Sequence, residues 1–380
     1  MKNRIYLDNA ATTFPKPPVV LKAMMRCMEE YGGNPGRSSH RLSVLAAEKI
    51  YECRETVADF FDAPSPESVV FTYNTTYALN LAIKTHLVYG SHVLISDIEH
   101  NSVLRPVDAM AKGGYCTYDL FSTAGDSDAI VEEIRRKLRF NTRMLICNHV
   151  SNIGGRILPL EKIGALCRER GILFVVDGAQ SAGTEELSLA RMKIDILCAP
   201  GHKGLYGPQG VGIMISGGEY YGRTLLEGGN GIRSLEREMP DFLPERYEVG
   251  TLATPCIVGL NTGLKWLKER GVENVAAGER RLSFLAQRWL GENKKVQLYP
   301  MSTAITSTFC FNVRDKLPQE VGELLDARGI CVRTGFHCSP LAHQTVGTGE
   351  HGAVRVSFGA FNTTADVEAL TDAVERISQE

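Results

Sequence analysis

An α/β fold with a mostly parallel central sheet is predicted from three features of this 380-residue chain. Short apolar, β-branched runs alternate with longer helical stretches through the first two thirds, the signature of strands covered by helices on both faces. From Lys203 to about Thr254 the pattern turns glycine-rich and irregular, as loops that line a site do. Strand and helix order then resumes more sparsely, which predicts a smaller α+β domain. In chain order, "SVVFTY" reads as a strand and "TTYALNLAIKTHL" as the helix after it. "SHVLIS" and "SVLRPVDAMAKGG" repeat the unit, "RMLICNHV" and "LEKIGALCRERG" repeat it again, and "ILFVVDGA" adds a further strand. In the last third, helices are expected at "IVGLNTGLKWLKERG" and "RRLSFLAQRWLGEN", strands at "STFCFNV", "GICVRTG" and "AVRVSFG", and a final helix at "TTADVEALTDAVERISQ". The expected division is a large domain over residues 15–257 and a small domain from residues 1–14 and 258–380. No internal repeat or low-complexity segment interrupts it.

Composition narrows the function. Lys and Arg number 42 against 44 Asp and Glu, a net charge of −2 with no run of like charges, so nothing marks a nucleic-acid or anionic-lipid surface. Small-molecule chemistry is the expectation. The start "MKNRIYLDNAATTFPKP" lacks the apolar core of a signal peptide, and no apolar run approaches the ~20 residues of a membrane helix, so a cytoplasmic protein is expected. The ten cysteines include no C-x-x-C pair, which favours reduced thiols over a disulfide framework or zinc ribbon.

Three stretches can carry chemistry. "FVVDGAQ" ends an apolar strand on Asp177, followed by small residues and Gln180. Ligands of open α/β sheets bind beyond the carboxyl ends of strands, so an acid there is well placed, although a helix cap or a loop ion pair is an equally ordinary use. "APGHKGLYGPQG" sets Lys203 beside His202 among four glycines, where a lysine can turn inward, lose hydration and become a nucleophile. The glycines are read as room for close backbone approach to a ligand. "TYNTTYALN" puts Thr75 and Thr76 where a strand meets a helix, so hydroxyls and free N–H groups converge as a phosphate cradle does; simple N-capping is the alternative. A phosphate site, an acid able to pair with a protonated ring nitrogen and a lysine able to join an aldehyde together point to pyridoxal 5′-phosphate.

The segments "YLDNAATT", "EHNS", "HVSNIGG", "DGAQ", "GHKGLYGPQG", "YEVGT", "RTGFHC" and "VRVSF" fall in the order seen in cysteine desulfurases and selenocysteine lyases. Over nearly its whole length the chain resembles that family, within the class V aminotransferase superfamily. The resemblance implies the pyridoxal-phosphate transferase fold of type I. It implies that Lys203 carries the cofactor and moves the substrate Cα proton, that Asp177 holds the ring nitrogen protonated, and that His100 stacks on the ring. Asn152 and Gln180 would meet the ring hydroxyl, and Thr75, Thr76 and His202 the phosphate. Thr251 would reach a partner subunit's phosphate, which implies a homodimer, with Arg37 and His40 entering the neighbouring site. Arg355 would grip the substrate α-carboxylate with its planar fork, with Asn9 and Arg333 nearby.

Cys338 resembles the cysteine that accepts sulfur as a persulfide and leaves L-alanine. A cationic neighbour helps a thiol react at neutral pH, and Arg333 and His337 are the candidates by sequence. Pro200 stands where the family usually has a hydroxyl residue on the phosphate, and "SPLAHQTVGT" differs from the familiar type II enzymes. The leading expectation is therefore a desulfurase acting on L-cysteine, with selenocysteine lyase as the alternative and a sulfur- or selenium-acceptor protein as a possible partner. Another class V reaction, such as transamination or decarboxylation, predicts a dispensable Cys338. A binding scaffold or a metal site at His337, Cys338 and His343 is the reading from a different class, and Cys331 and these three residues do not match a zinc-ligand spacing.

Overall fold

The computed structural model describes residues 4–36, 38–218, 222–301 and 304–380. Among the described residues the strands are β1 (Ile5–Tyr6), β2 (Val69–Thr72), β3 (Ser91–Ser96), β4 (Cys116–Phe121), β5 (Thr142–Asn148), β6 (Leu173–Asp177), β7 (Ile196–Pro200), β8 (Gly212–Ser216), β9 (Val296–Leu298), β10 (Thr308–Val313), β11 (Ile330–Cys331), β12 (Arg333–Gly335) and β13 (Ala353–Ser357). Seven of them form one sheet in the order β2-β8-β7-β6-β5-β3-β4, parallel throughout except for β8, which runs antiparallel to both its neighbours. Every residue of β2, β3, β7 and β8 is buried, so these strands carry no alternation of buried and exposed positions. β8 lies inside the stretch read from sequence as irregular. Its five residues sit between glycine-rich turns that mask it.

Register aligns the carboxyl ends of the central strands. Asn148 of β5 pairs with Asp177 of β6, and Asp177 with Cys198 of β7. Asp177 and the segment that follows Pro200 therefore emerge side by side at one edge of the sheet, where α/β sheets bind ligands.

A second sheet, β12-β13-β10-β9, is antiparallel, and β1 pairs with β11 beside it. Its core includes Leu7, Phe311, Val356, Leu370 and Ile377, so the N-terminal residues pack with the C-terminal third. The helix Thr254–Arg270 behaves differently from the sequence division, which gave most of it to the small domain. Its Ile257, Leu260 and Leu264 enter the core of the large sheet, because its apolar face lies against the helices Pro18–Glu30 and Arg41–Phe61. By packing, the change of core falls near Gly271.

A buried pair joins the two cores. The Tyr206 hydroxyl donates to Glu279 Oε1 at 2.7 Å and accepts from the Ala360 N–H at 2.7 Å, tying the segment after Lys203 to the helix Val272–Glu292 and to the residues after β13. Burial pushes the Glu279 carboxyl up to about 8. The native chain then holds a proton there that the unfolded chain has released, so this group's contribution to stability is present in acid and is lost as pH rises through about 8. Between about pH 5 and pH 8.5 the wild-type unfolding midpoint should fall by roughly 3 °C or more relative to Glu279→Gln, which has nothing to ionise. Parallel profiles for the two proteins would refute the assignment.

Candidate active site

Thr75, Thr76, His100, Asn152, Asp177, Gln180, His202 and Lys203, all singled out from sequence, line one cavity of about 120 Å³ at the carboxyl edge of the large sheet. Asp177 lines it from the end of β6. It is 3% exposed, with Oδ1 accepting from the Ala179 N–H at 2.9 Å, and burial pushes its carboxyl upward while the nearby Lys203 pulls it down. Such a carboxylate gains most from a cationic partner in the cavity.

Lys203 faces it from the loop after β7. Burial, with the Arg355 charge adding to it, lowers the Lys203 ammonium to about 8, so a neutral amine is accessible near physiological pH. The glycines around it have a different use from the one expected. A Cβ on Gly204 would lie 2.4 Å from the Ala182 carbonyl oxygen, and one on Gly207 2.9 Å from that of Gly201, so the freedom is spent on packing the loop against the protein rather than against a ligand. This fixes the direction of Lys203.

The expected phosphate end lies at the N-terminus of the helix Thr75–His86. Asn74 caps it, its Oδ1 accepting from the Tyr77 N–H at 2.9 Å. Thr75 Oγ1 and His202 Nδ1 are buried without a hydrogen-bond partner among the described residues. Burial lowers His202 to about 4, which keeps it neutral. Pro200, also in the wall, offers no hydroxyl.

His100 caps the helix Asn101–Lys112. Its Nδ1 accepts from the Ser102 N–H at 3.0 Å, with the Ser102 hydroxyl 2.7 Å away, which places the ring proton on Nε2. Burial lowers this imidazole to about 4, and the charge of Lys203 adds to the effect. Ser102 was missed from sequence; its signal was its place in the first turn of that helix.

Two arginines stand directly opposite each other, Arg333 on β12 and Arg355 on β13. Like charges facing across an antiparallel pair are unfavourable unless an anion joins them. Arg355 is 1% exposed; its Nη2 meets Asp8 Oδ1 at 2.8 Å, while Nε is buried and unpartnered. It is not the surface ion pair that a strand-edge arginine often makes. Asp8, its partner, was also missed, although "YLDNAATT" was noted.

Of the ten cysteines, Cys338 alone is exposed. Its Sγ lies 3.7 Å from Arg333 Nη2, and its carbonyl accepts from the Asn101 N–H, next to His100, at 2.8 Å. His337, the other candidate neighbour, is buried and turned toward His343 instead.

Known proteins resemble this chain over nearly its whole length. The sequence pattern of the family described as aminotransferase class-V matches residues 5–370. The chain belongs to that family. A probable cysteine desulfurase of Methanothermobacter thermautotrophicus is 30% identical, over 100% of this chain and 96% of that protein. One from Mycolicibacterium paratuberculosis is 31% identical over 100% of this chain, which spans only 56% of that relative's length. The structure titled as an apo cysteine desulfurase from Thermococcus onnurineus NA1 superposes with a TM-score of 0.89 at 31% identity, covering 99% of this chain and 95% of the other.

Class V aminotransferases depend on pyridoxal 5′-phosphate, and the residues here fit it: an orphaned hydroxyl and imidazole at a helix N-terminus, a buried acid and a desolvated lysine share one cavity. Thr75→Val should raise the dissociation constant for pyridoxal phosphate by about tenfold, the loss of one charge-assisted hydrogen bond. Unchanged retention in equilibrium dialysis would remove Thr75 from the phosphate site.

The remaining sequence candidates are placed elsewhere or engaged. Asn152 lines the cavity, yet its Nδ2 donates to the His337 carbonyl at 3.0 Å and its Oδ1 accepts from Ser339 Oγ at 2.7 Å, so it holds the Cys338 segment. Gln180 Nε2 donates to the Ala10 carbonyl at 3.0 Å. Asn9 is occupied with Ser357 and Asn362, tying the N-terminal segment to β13. Thr251 is exposed in a separate groove with Tyr73 and Tyr77, and Arg37 lies outside the described residues. Lys16, not singled out from sequence, donates to the His202 carbonyl at 2.6 Å, and burial lowers its ammonium to about 7. Among the described residues no helix is long and apolar enough to cross a membrane.

Proposed function

We propose that this chain is a cysteine desulfurase that converts L-cysteine to L-alanine and carries the sulfur on Cys338 as a persulfide. The observation that carries the reading is the presentation of Cys338, exposed beside Arg333 on a turn whose carbonyls are held by Asn152, which lines the cavity that fits pyridoxal phosphate, and by Asn101, next to the lining residue His100. Asp177, Thr75, Thr76, His202 and Lys203 would hold the cofactor, which when bound would supply an electron sink for the substrate's α-carbon. Arg355 and Arg333 bind and orient the substrate α-carboxylate, an anion that joins the two facing charges of β12 and β13 beyond the one Asp8 supplies to Arg355.

Lys203, with an amine near neutrality, takes the Cα proton and returns it. His100, with its proton on Nε2 and its ring fixed by Ser102, lines the cavity where it would cover the bound cofactor and exclude water. The Cys338 thiolate attacks the substrate sulfur. The new S–S bond forms as the Cβ–S bond breaks, and the electron pair left on the carbon skeleton is protonated before L-alanine departs. Thr251 and His40 complete the neighbouring site of a homodimer, and the exposed persulfide passes its sulfur to an acceptor protein.

The test is a paired assay of the purified holoenzyme on L-cysteine and L-selenocysteine, with alanine and released chalcogen both measured. Turnover of L-cysteine with equal yields of alanine and sulfide is expected under reducing conditions. Negligible turnover of L-cysteine beside efficient cleavage of L-selenocysteine would replace the reading with a selenocysteine lyase.

A further inference from the structure

Behind Cys338 runs a chain of hydrogen bonds for which the reaction above has no use. His337 and His343 are 3% and 2% exposed, with ring centroids 5.3 Å apart and planes within 14° of parallel. The direction of each bond follows from chemistry. The Arg333 carbonyl oxygen only accepts, so at 3.2 Å it takes a proton carried on His337 Nε2. Burial holds both rings neutral, lowering His337 to about 2 and His343 to about 4. His337 Nδ1 must then accept from His343 Nε2–H at 3.1 Å, and His343 Nδ1 accepts from the Thr348 hydroxyl at 2.7 Å. Reversing any one bond would set two lone pairs against each other.

This chain closes the segment that carries the thiol. His337 and Cys338 have φ of 50° and 58°, two consecutive non-glycine residues in the left-handed region, each at a cost on the order of 1 kcal/mol. Three hydrogen bonds hold them there: the His337 ring to the Arg333 carbonyl, Asn152 to the His337 carbonyl, and the Asn101 N–H to the Cys338 carbonyl. The first ties the Cys338 turn to the backbone of the same arginine whose Nη2 lies 3.7 Å from Sγ.

We infer that Thr348 and His343 are positioning residues for the sulfur acceptor: by bonding the far side of the His337 ring they hold it where Nε2–H meets the Arg333 carbonyl, clamp the turn to Arg333 and so set where Cys338 Sγ is presented. Neither residue touches substrate. The inference rests on Cys338 as the acceptor, but its effect on the thiol can be read without turnover.

The experiment follows the rate at which iodoacetamide alkylates Cys338 in the holoenzyme, by mass of the Cys338 peptide, alongside kcat and KM for L-cysteine. Thr348→Val removes the donor that holds His343 Nδ1 and loosens the stacked pair; alkylation and kcat should each fall about tenfold with KM and the visible spectrum unchanged, and Thr348→Ser should restore both. His343→Gln keeps a donor toward His337 and should retain more of both rates than His343→Asn, which keeps only the partner of Thr348; this pair serves if Thr348→Val fails to fold. Wild-type alkylation in Thr348→Val, or no rescue by serine, overturns the inference. If alkylation changes as stated while Cys338→Ala keeps full turnover, the positioning role stands and the proposed function falls.

Discussion

Replacing Cys338 by alanine is expected to lower sulfur release from L-cysteine by about three orders of magnitude while the substrate Cα proton still exchanges with deuterium from solvent. The two halves of that result come from two places in the structure. Lys203 and Asp177 sit inside the cavity and are fixed by the large sheet and the packed loop after β7. Cys338 is exposed on a separate turn, and removing its thiol leaves no buried group unpaired. The fold should therefore be untouched, and thermal unfolding of the variant should overlay that of the wild type. Full sulfur release from Cys338→Ala would sink the desulfurase reading, whereas loss of proton exchange as well would show that the cysteine side chain also shapes the cavity.

The second large effect belongs to Arg355. Arg355→Ala should raise KM for L-cysteine by about a hundredfold, because the proposed charged contact to the substrate carboxylate is lost. It should also destabilise the protein by about 3 kcal/mol, since Asp8 loses its 2.8 Å partner in a setting where the arginine is fully enclosed. Arg355→Lys retains the charge but not the fork, and is expected to recover most of the stability and only part of the affinity. Asp8→Asn separates the two contributions: it weakens the ion pair while leaving the guanidinium for substrate. An unchanged KM in Arg355→Lys and Arg355→Ala would place the α-carboxylate elsewhere.

Much of the site could be read from the chain because its parts sit at the ends of regular elements. Asp177 closes a strand, Thr75 opens a helix and Lys203 follows β7, and such positions converge once the sheet is parallel. What could not be read is what each polar atom is already doing. Asn152 looks like a cofactor contact in sequence, and only the fold reveals that His337 and Ser339 occupy its amide. His337 adjoins Cys338 in the chain, yet a left-handed backbone at both residues turns the imidazole inward and leaves Arg333 as the thiol's neighbour. The glycines after Pro200 promised space for a ligand and instead admit backbone. The strand β8 was hidden for a related reason, since five buried residues between glycine turns carry too little periodicity to stand out.

β13 is flanked on both sides, by β12 and by β10, while Cys338 stands on a turn braced from outside by Asn101 and Asn152. Recognition and delivery are thus mounted on different hardware. In the proposed function, the arginine that would read the α-carboxylate cannot shift without disturbing a whole sheet, whereas the thiol that would meet the departing atom can be recast by rewriting about a dozen residues after Gly335. Asn152 is the seam between the two, a cavity wall on one side and a bracket for the turn on the other. An enzyme divided this way can acquire a new recipient for its cargo while keeping its grip on the amino acid it cleaves.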